Sequence, residues 1–108
     1  MTVTAIDELN YAFVISGFDY LNGLQSFRDG LFYVQDISSM LVAQTAAPKK
    51  GDYVIDVCAA PGGKSTHIAE LLQGSGHVLA RDLTDNKVDM IEENIERHGL
   101  NNMSAEVW

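Results

Sequence analysis

The chain has a single cysteine, Cys58, in its 108 residues, which excludes an internal disulfide. Its three histidines are scattered, so no ligand set for a structural zinc arises from spacing and no metal is expected. No apolar run approaches the roughly 18 residues of a membrane span. The N-terminal stretch MTVTAIDELN lacks the basic-then-apolar order of a signal peptide. No membrane contact and a cytoplasmic location are therefore the expectations. Positive charge is scarce as well: seven Lys and Arg stand against fifteen Asp and Glu, a formal net charge of −8. Affinity for a nucleic-acid backbone comes from Lys and Arg displacing counterions, so this chain by itself is expected to bind RNA weakly or not at all. There is no internal repeat and no low-complexity segment.

What is present is organised around residues 53–72, YVIDVCAAPGGKSTHIAELL. Residues 53–57 are mostly β-branched or aromatic and predict a buried strand. Cys58-Ala59-Ala60-Pro61-Gly62-Gly63 follows at once, all small residues or a ring that fixes φ, so the backbone can turn sharply and admit another molecule closely. From Lys64 the pattern becomes helical, with Ile68, Leu71 and Leu72 on one face. Strand, small-residue turn and helix start together suit a polar or anionic ligand, because the first helical amides lack internal partners and lie at the positive end of the dipole.

Upstream, residues 11–15 predict a strand, and Asp29-Gly30 a turn into a second strand over residues 31–34. Asp36 or Ser38 can cap a helix with Ile37, Met40, Leu41 and Ala47 on its apolar face. Downstream, residues 77–81 read as a strand ending at Asp82. Thr84 or Asp85 starts a helix to about residue 98, burying Val88, Ile91 and Ile95, with Gly99 as its left-handed cap. Residues 104–108 begin a third strand. The class is α/β, a partial Rossmann-like fold whose parallel sheet comprises the first half only. The third strand then presents an unpaired edge, and an edge-strand homodimer is expected. Residues 1–27 are assigned to the tail of a preceding small domain or linker, and residues 28–108 to the fold's first half.

The turn sits where a dinucleotide fold carries G-x-G-x-x-G, with Cys58 and Ala60 at the first two glycine positions and Gly63 at the third. Asp82, about twenty residues beyond Gly62-Gly63, is placed to accept hydrogen bonds from ribose hydroxyls. It could instead cap the following helix, or do both. Gly63-Lys64-Ser65-Thr66 also matches the end of a triphosphate-binding loop, but Cys58 replaces its first glycine and Pro61 removes a cradling amide. Cys58 has no evident paired base, which favours a small packed residue over a catalytic thiol. Asp56 can hold the turn by accepting backbone amides. His67 and His98 lie on predicted helices, and the acidic run from Asp85 to Glu96 is a solvated helix face. From these patterns alone a nicotinamide-dinucleotide site and a non-catalytic nucleotide-binding or assembly module remain open beside a methyl-donor site.

The string from Asp56 to Thr66 closely resembles the cofactor loop of the Sun-type RNA (cytosine-5)-methyltransferases, which include bacterial small-subunit ribosomal RNA enzymes. Residues 30–39, GLFYVQDISS, resemble the segment that precedes that loop in the same family. The resemblance implies S-adenosyl-L-methionine as cofactor, bound by Cys58, Ala59, Ala60, Pro61, Gly62, Gly63 and Lys64, with Asp82 on the ribose. It implies RNA, ribosomal by class, as the substrate of the parent protein. In that family one cysteine attacks C6 of the target cytosine and a second assists release, which makes C5 nucleophilic toward the sulfonium methyl. Those cysteines belong to Pro-Cys and Thr-Cys motifs, and the present sequence contains neither. The expectation is a piece of a longer methyltransferase that carries the cofactor loop, has no catalytic residue of its own and is inactive alone.

Overall fold

The computed structural model describes residues 1–108 and contains two sheets. In the first, β1 (Thr2–Ile6) and β2 (Leu9–Ser16) pair antiparallel, from Thr2 opposite Ser16 to Ile6 opposite Leu9. The strand expected at residues 11–15 lies within β2. Its partner β1 was not foreseen, because all its residues but the last are exposed and no buried face imposed an alternating pattern.

The second sheet is parallel, in the order β3 (Tyr53–Asp56), β4 (His77–Asp82), β5 (Met103–Val107). Tyr53 pairs with His77 and Asp56 with Ala80, while Val78 pairs with Met103 and Asp82 with Val107. Successive side chains alternate between faces, so Val54, Asp56, Val78, Ala80, Asp82, Met103 and Ala105 share one face. The crossover helices α3 (Gly63–Leu71) and α4 (Asp85–His98) pack on it, and Ile68, Ala69, Leu72, Val78, Ala80, Ile91 and Met103 form one core with Ala43 and Ala59. The other face leaves Tyr53, Ile55 and Val57 exposed. This is the partial Rossmann-like α/β arrangement expected.

Local signals set the helix ends. Asp36 accepts the Ser39 amide at 2.7 Å and caps α2 (Ile37–Ala46). Thr84, not Asp82, caps α4 by accepting the Lys87 amide at 3.3 Å, and Gly99 closes that helix at φ 62°. No helix is long and apolar enough to cross a membrane.

Three expectations need correction. Residues 31–34 are not a strand: a single helical turn, α1 (Gln25–Arg28), precedes them, and residues 32–36 have no regular structure. No strand lies beside this segment. Its Phe32 carbonyl and those of Phe27 and Gly30 just before it are bonded instead by α4 side chains: Arg97 donates to Phe27 O and Phe32 O, and His98 Nδ1 to Gly30 O. In α2, Ile37 and Leu41 are exposed and Ala43 is fully buried, because this helix meets α3 through a small residue that permits close approach. Ala47 is not on the apolar face either; it is the left-handed cap, at φ 48°. In α3, Leu71 is partly exposed while Ala69 joins Ile68 and Leu72 inside.

Candidate cofactor site

The site is built at the C-terminal ends of β3 and β4. β3 delivers Asp56, whose carboxylate accepts the Cys58 amide at 3.1 Å through Oδ1 and the Ser65 hydroxyl at 2.6 Å through Oδ2. One side chain thus ties the start of the loop to the first turn of α3. β4 delivers Asp82, which accepts the Ala60 amide at 3.0 Å and the Leu83 amide at 2.7 Å. Ala59 N–H donates to Arg81 O at 3.0 Å, which continues the grip of β4 on the loop.

Asp82 is 6% exposed. The Ala60 amide, followed by the Leu83 amide, holds its carboxyl below the ordinary carboxylate range, and Lys87 Nζ lies 3.6 Å from Oδ1. It is a carboxylate near neutral pH. Its two oxygens offer about four lone-pair directions, so acceptor capacity remains after the two amides are bound.

Gly62 is the N-cap of α3 at φ 110°, a left-handed conformation that glycine adopts freely. Thr66 N–H makes the first helical bond, to Gly62 O at 2.8 Å, so the amides ahead of it have no helical acceptor. Gln35 lies against Gly63, with Nε2 3.5 Å from where a β-carbon would stand. The family-like segment before α2 therefore reaches the mouth of the loop.

All eight residues singled out in the sequence gather here: Cys58 to Lys64 as one loop and helix start, and Asp82 beside Ala60. Their side chains differ in what they can offer. Cys58, Pro61 and Lys64 are exposed, Gly62 is buried, and Ala59 is part of the core, so only its backbone can face a ligand. Sequence reasoning missed Ser65, the lock on Asp56, and Asn94, whose amide donates to Pro61 O at 2.6 Å. The serine stands in the first turn of an obvious helix start, directly after the small-residue loop, and could have been found. Nothing near Asn94 in the sequence points to Pro61.

His67 lies in the buried face of α3, with its ring 5.1 Å from that of Tyr11 and no partner for Nδ1. His77 Nε2 lies 2.7 Å from Ser104 Oγ on the sheet's other face. Neither reaches the loop. No group of His, Cys, Asp and Glu is placed to hold a metal ion. A cavity of about 1110 Å3 is lined by residues such as Tyr11, Phe18, Phe32, Tyr33, Met40 and His67, between the hairpin and α3. It is mostly apolar and does not include the loop or Asp82.

This arrangement can present the unpaired amides at the start of α3 and one carboxylate to a ligand that has both an anionic or polar end and a diol. The family model for 16S rRNA methyltransferase RsmB/F matches residues 43–107. A tRNA (cytosine(72)-C(5))-methyltransferase of Pyrococcus horikoshii is 46% identical over 83 residues, 77% of this chain and 21% of that protein. A probable ribosomal RNA small subunit methyltransferase B of Bacillus subtilis is 49% identical over 84 residues, 78% of this chain and 19% of that protein. Among solved structures, NSun6 of Pyrococcus horikoshii with SFG superposes with a TM-score of 0.79 at 42% identity, over 84% of this chain and 24% of that one. The chain spans about a fifth of the length of the curated relatives it matches. With the model matched from the middle of α2 to the end of β5, the chain belongs to the 16S rRNA methyltransferase RsmB/F family.

Proposed function

We propose that this chain carries the first half of the S-adenosyl-L-methionine site of an RNA (cytosine-C5)-methyltransferase, with RNA of the ribosomal class as the parent protein's substrate. The observation that carries the reading is the bond between Asp82 and the Ala60 amide. It brings the small-residue loop and the acidic end of the next strand side by side, as an adenosyl ligand with a ribose diol requires. A relative of known structure was solved with SFG, an S-adenosylmethionine analogue.

The residues present fit the group. The free amides at the start of α3 suit its carboxylate, and the remaining lone pairs of Asp82 suit the ribose hydroxyls. When bound, the cofactor supplies a sulfonium methyl. The chain's own residues orient it: Asp56 and Ser65 fix the loop, and Asp82 holds both the loop and the diol. Cys58 is exposed within the loop itself and serves there through its backbone, not as the thiol that attacks the base. Methyl transfer needs thiols that this chain does not hold, so the chain alone transfers no radiolabelled methyl group to RNA. The cytoplasm is the compartment we assign.

The test is a calorimetric titration with S-adenosylhomocysteine beside NADH and ATP, repeated with Asp82→Ala. Binding of S-adenosylhomocysteine alone, weakened by the substitution, is the expected result. Preferential binding of NADH or ATP would overturn the reading.

A further inference from the structure

Two side chains near the end of α4 make contacts that no pairing of elements requires. Asn94 and Arg97 are three residues apart and so lie on one side of the helix. Asn94 Nδ2 donates to Pro61 O at 2.6 Å, and Arg97 Nη2 donates to Asn94 Oδ1 at 3.0 Å. The partners leave the Asn94 amide one orientation, because a carbonyl only accepts and a guanidinium only donates. Arg97 is fixed in turn. Its Nη1 donates to Phe27 O at 3.1 Å and Phe32 O at 3.4 Å, and its guanidinium carbon lies 4.2 Å from the Phe27 ring centroid. A relay thus runs from residues 27–32 through α4 to the loop after β3.

Its effect on the loop follows from peptide geometry. The Pro61–Gly62 peptide is trans, so its carbonyl and its N–H point in opposite directions. Drawing Pro61 O toward α4 turns Gly62 N–H away from α4, and no group of the chain accepts from that N–H. We propose that Asn94, oriented by Arg97, is a positioning residue for the cofactor loop: it sets the Pro61–Gly62 peptide plane and thereby presents the Gly62 amide to the bound ligand. This rests on the reading of residues 58–64 as the cofactor loop.

The test compares Asn94→Asp with Asn94→Gln. The aspartate keeps an acceptor for Arg97 but loses the donor to Pro61 O, whereas the glutamine restores both functions on a longer arm. Two readouts are taken: the amide resonance of Gly62 without ligand, and calorimetric affinity for S-adenosylhomocysteine. In N94D the Gly62 resonance shifts and broadens while those of β4 stay in place, and affinity falls about tenfold, the worth of one lost polar contact. N94Q recovers most of both. If N94D does not fold, Asn94→Ala takes its place. An unmoved Gly62 resonance, or equal losses of affinity and melting temperature in N94D and N94Q, overturns the proposal, since the second pattern marks a simple staple. A parent chain that binds no S-adenosylhomocysteine while Gly62 still moves in N94D supports the positioning role and sinks the cofactor reading instead.

Discussion

Gly30 and Gly51 share a left-handed backbone, φ 74° and 86°, but not an environment. A β-carbon on Gly30 would stand 1.9 Å from Arg97 O, whereas one on Gly51 meets nothing within 4 Å. Gly51→Ala therefore costs only the backbone strain, about 1 kcal/mol. Gly30→Ala adds a clash with main chain that cannot rotate away, for a total of about 3 kcal/mol. Urea unfolding of the two variants checks the difference, and equal losses would mean that residues 27–32 are not pressed onto α4. His67 yields a prediction in pH. Burial pushes its imidazole below the ordinary histidine value, so the unfolded chain takes the proton first, near pH 6.5. Stability rises with pH wherever the unfolded state binds more protons. The contribution is whole above about pH 6.5 and is lost as pH falls from there toward the folded value. His98 acts in the same direction, mainly through burial, with its bond to Gly30 O opposing. Glu70, raised by burial, acts in the opposite direction. The urea midpoint of the parent minus that of His67→Phe isolates one group, and this difference should shrink as the pH is lowered from about 7 to 5. A flat difference would refute a buried, neutral His67.

At the scale of elements, α2 separates pattern from packing. Its apolar residues are spread around the helix, so periodicity selected Ile37 and Leu41 as the inner face, yet Ala43 is the residue with no exposure. Ala43→Leu should cost about 1–3 kcal/mol through overpacking against α3, while Leu41→Gln should stay within about 0.5 kcal/mol. Thermal melts of the two variants decide it, and the reverse order would return the helix to its expected orientation. The contrast with α4 is instructive. There Thr84, Val88, Ile91 and Gly99 all act as the sequence suggested, because the polar face is strongly charged and only one stripe is apolar. The sheet strands were legible in position, with β3, β4 and β5 each within about two residues of expectation. β3 is nevertheless not the buried strand that residues 53–57 predict: Tyr53 and Ile55 are exposed, because both crossover helices lie on the other face.

For the whole molecule, charge is the governing quantity. At −8, the chain repels a phosphate backbone, and three of its seven cations are committed: Arg97 to main-chain carbonyls, Arg81 to Glu106 at 2.6 Å, and Lys87 to the neighbourhood of Asp82. A gel-shift titration with single-stranded RNA near physiological salt should show no complex at micromolar chain concentration. A salt-dependent complex would mean that the cations act as a patch despite the net charge. The two sheets also differ in their support. The hairpin of β1 and β2 buries only Leu9 and Ala12, whereas the parallel sheet, which carries the candidate cofactor loop, is covered on one face by two helices.

By itself the sequence determined the strand, turn and helix from Tyr53 to Leu71, the acidic end of β4 and both caps of α4. Each of these is written by residues adjacent in the chain: a small-residue turn, a capping hydroxyl, a glycine free to take positive φ. Only the tertiary structure decided that residues 31–34 are held as irregular backbone, that α2 turns Ala43 inward, and that Asn94 grips Pro61 from 33 residues away. The physical reason is common to the first and the last. Every residue carries a carbonyl, so a side chain that reaches a distant one leaves no mark in the composition or period of the segment it holds.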